Sequence, residues 1–104
     1  MLVIRVEDFT EDVIAKRKDD ESTLTNLIKK GIKADTQIMK FIDLHDTTTL
    51  NRPMIEALVS DIRALKRTYR RAMNEKELVA FEKLEELCAI ALSTPFQYLI
   101  FESR

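Results

Sequence analysis

The richest chemistry in this sequence lies in one basic run, IRALKRTYRRAM, at residues 62–73. Its five cationic side chains are Arg63, Lys66, Arg67, Arg70 and Arg71. Guanidinium and ammonium groups at this density can contact the phosphates of a nucleic acid or a row of carboxylates on a protein. The formal net charge of the chain is −1, so such binding must come from this local patch and not from a global basic field.

The spacing of the basic run also fits the outward side of an amphipathic helix. At about 100° per residue, the apolar seam centres between Ile62 and Tyr69, and the arginines lie opposite it. The next helical stretch groups its own carboxylates outward, at Glu75, Glu82 and Glu86. Two copies of the chain could therefore set an arginine row against a glutamate row. The other interpretation pairs the arginines with phosphates and leaves the glutamates in water.

Two acidic clusters offer a third chemistry, because carboxylate oxygens are suitable ligands for divalent cations. They are EDFTED at residues 7–12 and DDE at residues 19–21. Acidic residues at helix N-termini are also stabilised by the helix dipole alone, and capping is the interpretation we favour. A metal-dependent enzyme is therefore our third hypothesis, and we predict neither a metal site nor a cofactor.

The candidate catalytic residues are few. His45 is the single histidine, and the single cysteine, Cys88, falls in an apolar stripe beside Leu84 and Leu92, where burial favours an inert thiol. With one glycine, the chain cannot form a GxxxxGK[ST] or GxGxxG phosphate loop. The pair His45–Asp46 is similar to that of the HD-domain phosphohydrolases, but that family needs further histidines. We predict that the protein is not an enzyme and has no catalytic residues.

Residues 41–62, FIDLHDTTTLNRPMIEALVSDI, resemble a segment near the C-terminus of large serine recombinases, where a turn containing leucine and threonine leads into a helix. The similarity consists mostly of capping residues and helix periodicity. It implies no active residue in this chain, and it adds modest support to the nucleic-acid hypothesis.

The composition indicates one globular domain. Hydrophobic residues make up 45% of the chain and charged residues 34%, which is not typical of disorder. One glycine and two prolines favour long helices over a turn-rich β fold. The single cysteine indicates a reducing compartment. No apolar run is long enough to span a bilayer, and MLVIRVED is too short for a signal peptide, so we expect a cytoplasmic protein that does not contact a membrane.

The two chain ends could pair as strands. Residues 1–6, MLVIRV, are β-branched and apolar, which suits a strand. Residues 96–101, FQYLIF, are apolar and aromatic. They could pair with the N-terminal segment or cover one end of a bundle.

Helical patterns follow the first segment. Residues 8–18 fit a helix with Thr10 as N-cap and acidic residues in its first turn. Apolar residues then recur at three- and four-residue steps over 24–42. We favour a break in that second pattern, with Gly31 just after one helix and Asp35 capping another.

The C-terminal half is predicted to form two long helices after a loop at residues 45–53. The first helix spans about 53–73 with Asn51 as its N-cap and a proline in its first turn. The second spans 75–93 and begins with a capping box at Asn74. The very short connection predicts an antiparallel pair.

We therefore expect one mainly α domain over residues 1–104. It would be a small helical bundle with a long C-terminal antiparallel helical hairpin at 53–93, to which the chain ends could add a minor two-stranded β element. The leading hypothesis is a non-catalytic protein–protein interaction module, homodimeric through this hairpin or bound to another protein. The apolar seam that would supply the contact consists of Ile55, Leu58, Ile62, Leu65, Tyr69, Phe81, Leu84 and Leu92. The alternative is a nucleic-acid-associated regulator that uses the basic run.

Overall fold

A four-stranded antiparallel sheet carries three α-helices on one face in the computed structural model, which describes residues 1–33 and 35–104. The strands are β1 (Leu2–Asp8), β2 (Val13–Lys18), β3 (Thr47–Leu50) and β4 (Gln97–Ser103), in the spatial order β2-β1-β4-β3. The helices are α1 (Thr23–Lys33), α2 (Arg52–Tyr69) and α3 (Glu75–Leu92), and a 3₁₀ turn spans Met39–Phe41.

The protein is thus an α/β fold, and the prediction of a mainly α helical bundle with a C-terminal helical hairpin is wrong. The chain ends do pair, from Leu2↔Ser103 to Asp8↔Gln97, as their β-branched and aromatic composition favours. They are the two central strands of a sheet with two further strands, however, and not a minor element. α2 and α3 cover that sheet instead of forming the body of a bundle.

The strand β2 lies where the sequence predicted a helix. The Asp8 carboxylate accepts hydrogen bonds from the backbone N–H groups of Thr10, at 2.8 Å, and Asp12, at 3.1 Å. Glu11 has a φ of 67°, so the chain reverses here. The polar residues that resembled a helix N-terminus therefore form the turn of a β-hairpin, since short polar side chains serve both purposes.

The short strand β3 lies within the predicted loop at 45–53. Its three threonines are β-branched, and they suit an extended backbone as well as they oppose a helix. β3 pairs antiparallel with β4, from Thr47↔Glu102 to Leu50↔Leu99, and forms one edge of the sheet.

The predicted break in the second helical pattern is confirmed, because α1 ends at Lys33 and a separate 3₁₀ turn follows, but its position is wrong, because α1 continues through Gly31. A Cβ atom on Gly31 would lie 2.0 Å from Sδ of Met39, so the glycine allows that buried side chain to approach the helix backbone. The 3₁₀ turn that follows begins after Ile38 and not at Asp35.

The predicted N-caps of α2 and α3 are confirmed. The Asn51 side chain accepts from Met54 N, and a proline occupies the first turn of α2. Asn74 and Glu77 form a reciprocal capping box at the start of α3. α2 ends at Tyr69 and not near residue 73.

The core lies between the sheet and the helices. The sheet contributes its inward residues, among them Ile4 and Phe101, and the helices contribute their apolar stripes, all within one cluster of buried side chains. On the opposite face of the sheet, the Arg5 guanidinium forms ion pairs with Glu7 and Glu102. Burial lowers the pKa of Arg5, but these hydrogen bonds outweigh it and raise the pKa above the usual value.

Candidate functional site

The outer side of α2 presents the basic run to solvent. Arg63 and Arg67 are exposed on the helix, and Arg70 and Arg71 are exposed at and beyond its C-cap. Lys66 is half-buried. Among the described residues, none of the four arginines has a carboxylate oxygen within 4.0 Å. Their charges are therefore available for an external partner.

A groove of ≈ 530 Å³ separates the outer sides of α2 and α3. α2 lines it with Val59, Arg63 and Lys66, and α3 lines it with Glu82, Glu85, Glu86, Ala89 and Leu92. Lys66 Nζ lies 2.8 Å from Oε1 of Glu85 and joins the two walls. We call this surface the α2–α3 groove. One wall is cationic, the other is anionic, and small apolar side chains lie between them.

The C-terminal end of α2 has a different character. A shallow cleft of ≈ 390 Å³ there is lined by Arg67, Thr68, Tyr69, Arg70, Arg71 and Ala72. No carboxylate lines it. This end of the helix pair can therefore attract an anion through three guanidinium groups.

The predicted apolar seam lies mostly in the core of the single chain. Ile55, Leu58, Ile62, Leu65, Phe81 and Leu84 are buried, and Leu92 packs against the same cluster. Tyr69 is 46% exposed because it is the last residue of α2. Since the six buried side chains already belong to the core, a second copy of the chain cannot use those six without opening the core.

Two carboxylates of the acidic clusters near the N-terminus, Asp8 and Asp19, accept hydrogen bonds from the backbone. Asp8 accepts from the turn that follows it, and Asp19 accepts from the N–H groups of Leu24 and Thr25 at the start of α1. Within the described part of the chain, no group of three or more His, Cys, Asp or Glu side chains is placed to hold a metal ion.

The thiol of Cys88 has no activated character. Burial, followed by the nearby charge of Glu85, raises the pKa of Cys88 to about 12, so the nucleophilic thiolate is scarce at neutral pH. His45 is exposed in a turn, where its backbone N–H donates to Asp43 at 2.8 Å. These two residues offer no nucleophile activated by a neighbouring base.

The sequence did not reveal a second surface, which lies along the free edge of β2. A cleft of ≈ 910 Å³ there lies between β2, the start of α1 and the first half of α3. Phe9 and Phe96 are exposed near the start of the same strand, with ring centroids 6.5 Å apart in an edge-to-face arrangement. β2 was predicted as a helix, so neither the edge nor the cleft could be foreseen.

Comparison with protein-family models, with curated proteins and with solved structures gives no match to this chain. The stretch at 41–62 that resembles serine recombinases comprises the end of the 3₁₀ turn, β3 and the first part of α2, and it contributes no functional residue. Among the described residues, no helix has the length and apolar character needed to cross a membrane.

Proposed function

We propose that this protein is a non-catalytic protein–protein interaction module that forms a homodimer through its α2–α3 groove. One observation supports this proposal above the others: Arg63 and Lys66 line one wall of the groove, Glu82, Glu85 and Glu86 line the other, and Lys66 pairs with Glu85 at 2.8 Å between the walls. Such a surface is complementary to a second copy of itself.

The symmetry of the contact follows from the charges. A two-fold axis parallel to the helices would set α2 of one copy on α3 of the other, whereas an axis across the helices would set α2 on α2 and oppose like charges. Rotation about the parallel axis preserves height. Arg63 of one copy would therefore meet Glu82 and Glu86 of the second copy, since these residues line the same part of the groove.

The strength of this contact is modest. Val59, Ala89 and Leu92 supply a narrow apolar strip, while a stable interface typically buries roughly 800 Å² on each partner. Exposed ion pairs contribute about 0.2–1 kcal/mol each and weaken with salt. The proposed dimer is therefore reversible and salt-sensitive. A cytoplasmic location belongs to the proposal, supported by the free and buried thiol of Cys88.

Sedimentation equilibrium at low and high salt tests the proposal. The wild-type chain is expected to dimerise at low salt and to dissociate as salt is raised. Arg63→Glu and Glu82→Arg should each abolish dimerisation, because each opposes like charges, and the double variant should recover it. Lys29→Glu, on the exposed side of α1, is the matched control. A monomer at all concentrations and both salt levels would overturn the proposal.

A second candidate function rests on the basic end of α2. Arg67, Arg70 and Arg71 line a cleft without carboxylates, and phosphates of a nucleic acid could replace water there. Fluorescence anisotropy of a labelled oligonucleotide at increasing salt measures this binding. Arg67→Glu combined with Arg70→Glu should abolish it and Lys29→Glu should not. Equal affinity of the wild type and the double variant would exclude this function.

A further inference from the structure

We propose that the free edge of β2 is a docking site where an extended acidic segment of another protein adds to the sheet as a fifth strand. This edge lines a different cleft from the α2–α3 groove, and the two surfaces adjoin where Arg17 lies 3.6 Å from Glu86. The inference does not depend on the proposed dimer. Three features of the edge support it: its free backbone groups, its cationic side chains, and an exposed apolar cluster at one end.

The backbone of β2 has one side available. β2 is the terminal strand of the sheet among the described residues. The N–H of Asp19 donates to the carbonyl of Leu2 at 2.9 Å, and hydrogen bonding to β1 alternates along an antiparallel ladder. The N–H and C=O groups of Lys16 and Lys18 are therefore directed away from β1, where an added strand can pair with them.

The side chains of the edge select for negative charge. Lys16, Arg17 and Lys18 are exposed in sequence along β2. Lys16 and Lys18 form no ion pair among the described residues, and Arg17 reaches Glu86 only at 3.6 Å and remains 47% exposed. A strand beside β2 would meet three cations within three residues, so carboxylates on that strand would be stabilised.

The adjoining cleft has mixed charge and an apolar floor. Its cations include Lys76 and Lys83, and its carboxylates are Asp19, Asp20, Glu21 and Glu75. The Asp19 carboxylate accepts hydrogen bonds from the first backbone N–H groups of α1. Glu21 pairs with Lys76 at 3.2 Å. Leu24, Val79 and Ala80 also line the cleft. The cleft can therefore receive apolar side chains of the added strand, while the charge preference comes from β2 itself.

An exposed apolar cluster lies at the start of β2. The ladder between β1 and β2 shifts register between Val6 and Glu7, so that Glu7 pairs with Val13 and Ile14 is the extra residue. Val13 and Ile14 are 53% and 47% exposed. The Phe9–Phe96 pair lies at the same end of the sheet, with both rings more than two-thirds exposed.

The conformation of Phe96 strengthens this point. Its φ is 63°, a left-handed conformation that is unusual for a bulky side chain. The chain thus maintains an unfavourable backbone conformation at a residue whose ring faces water, and such residues are concentrated at binding sites.

These features define the occupant. Side chains at alternate positions of an added strand lie on one face, so carboxylates two residues apart would lie beside Lys16 and Lys18. An antiparallel strand would then reach the apolar cluster two residues later. The partner segment therefore reads acidic–x–acidic–x–apolar from its N-terminus. A second copy of β2 fits less well, because it would bring three further cations to the edge.

Lysines at a sheet edge have another known role, which is to prevent the edge from pairing with strands of other molecules. That role does not account for the apolar cluster, which a guarded edge would be expected to bury or replace with polar residues. The two roles predict opposite results with an acidic peptide.

The test uses a fluorescein-labelled peptide, Glu-Val-Glu-Val-Phe-Thr, with anisotropy measured at low salt. The protein carries Arg63→Glu, so that the outcome is independent of the α2–α3 groove. Saturable binding is expected, with at least about tenfold weaker affinity when Lys16→Glu and Lys18→Glu are added, since like charges then oppose each other. Lys29→Glu should have no effect. N-methylation of the peptide at the amides that face β2 should abolish binding.

Amide hydrogen exchange provides a second, site-specific measurement. Pairing with the peptide should slow exchange at Lys16 and Lys18. Unchanged exchange at these amides, or equal affinity of the wild-type edge and the Lys16→Glu/Lys18→Glu variant, would overturn the proposal. If these amides become more protected as protein concentration rises in the absence of peptide, the edge binds a second copy of the chain. That result would also overturn the proposal.

Discussion

Lys66 on α2 and Glu85 on α3 form an ion pair of 2.8 Å, and both side chains are about 30% exposed. The sequence placed the arginine and glutamate rows on outward faces that a single helix pair could not join. Lys66 and Glu85 join them because each lies at the border of its helix, where a long side chain reaches across the groove. Arg63 of the basic run and Glu82 and Glu86 of the acidic row consequently line one groove.

This ion pair should contribute measurably to stability. A double-mutant cycle with Lys66→Ala and Glu85→Ala is expected to give a coupling energy of about 0.5–1 kcal/mol, because the pair is partly shielded from water. The control is Arg52–Glu56, which spans 3.8 Å between side chains at least half exposed and should couple more weakly. Equal coupling energies for the two pairs, from urea unfolding, would contradict the structural distinction.

The local features of the sequence predicted α2 and α3 well, because periodicity and caps are encoded within a few neighbouring residues. Asn51, Asn74 and Glu77 mark helix starts without reference to the rest of the chain. The burial of Leu58 or Phe81 likewise follows from helix spacing alone. Neighbouring residues do not reveal that a sheet buries these side chains, because the sheet depends on contacts between the two ends of the chain.

The errors at β2 and β3 have the same physical origin. Thr10 and Asp12 are equally suited to a helix N-terminus and to a hairpin turn, and only pairing of Val13–Lys18 with β1 decides between them. Because β2 was predicted as a helix, the functional hypotheses did not include its edge. The basic run could be found from its composition, but the edge of β2 becomes a surface only once the strand exists, and the α2–α3 groove requires the relative position of two helices.

Asp61 should be essential for stability. Its carboxylate is 4% exposed on α2 and accepts hydrogen bonds from the backbone N–H groups of Gln37, Ile38 and Met39 at 2.8–2.9 Å. Asp61→Ala leaves these donors unpaired, at an expected loss of about 2–4 kcal/mol in the free energy of unfolding. Ser60→Ala, at the exposed neighbouring position, is the control. A loss below about 1 kcal/mol would show that water replaces the carboxylate.

Gly31 should not tolerate a side chain, although it lies inside a helix. Alanine there normally gains about 1 kcal/mol, but its Cβ would lie 2.0 Å from Sδ and 2.8 Å from Cγ of the fully buried Met39. Overpacking of this kind costs roughly 1–3 kcal/mol, so Gly31→Ala is expected to lower the melting temperature. Adding Met39→Ala should recover part of the loss. A melting temperature above that of the wild type would contradict the close approach.

The capping box of α3 predicts a loss of stability in acid. A hydrogen bond from Lys30 and one from the Asn74 N–H lower the pKa of Glu77 below its usual 4.5. The charged form is therefore favoured by folding, and its contribution is complete above pH 4.5 and disappears as pH falls through the lower folded pKa. Urea unfolding should show Glu77→Gln less stable than the wild type at pH 7 and nearly equal to it at low pH. The control is Glu11→Gln, at an exposed position in the hairpin turn, which should show no comparable change. A constant difference for Glu77→Gln across this range would refute the mechanism.

The buried thiol gives a prediction at alkaline pH. Because burial, with a smaller effect of Glu85, raises the pKa of Cys88 from 9.0 to about 12, the unfolded chain loses its thiol proton first. Stability should therefore decline as pH rises from about 9 towards 12. At pH 8 a much smaller fraction of the thiol is ionised in the folded than in the unfolded chain, so alkylation by iodoacetamide should be much slower without denaturant. Cys88→Ala combined with Ser60→Cys moves the thiol to the surface of α2 and should react at the same rate in both states. Rapid alkylation of Cys88 in the folded protein would mean that the core opens at α3, and it would place this helix among the mobile parts of the fold.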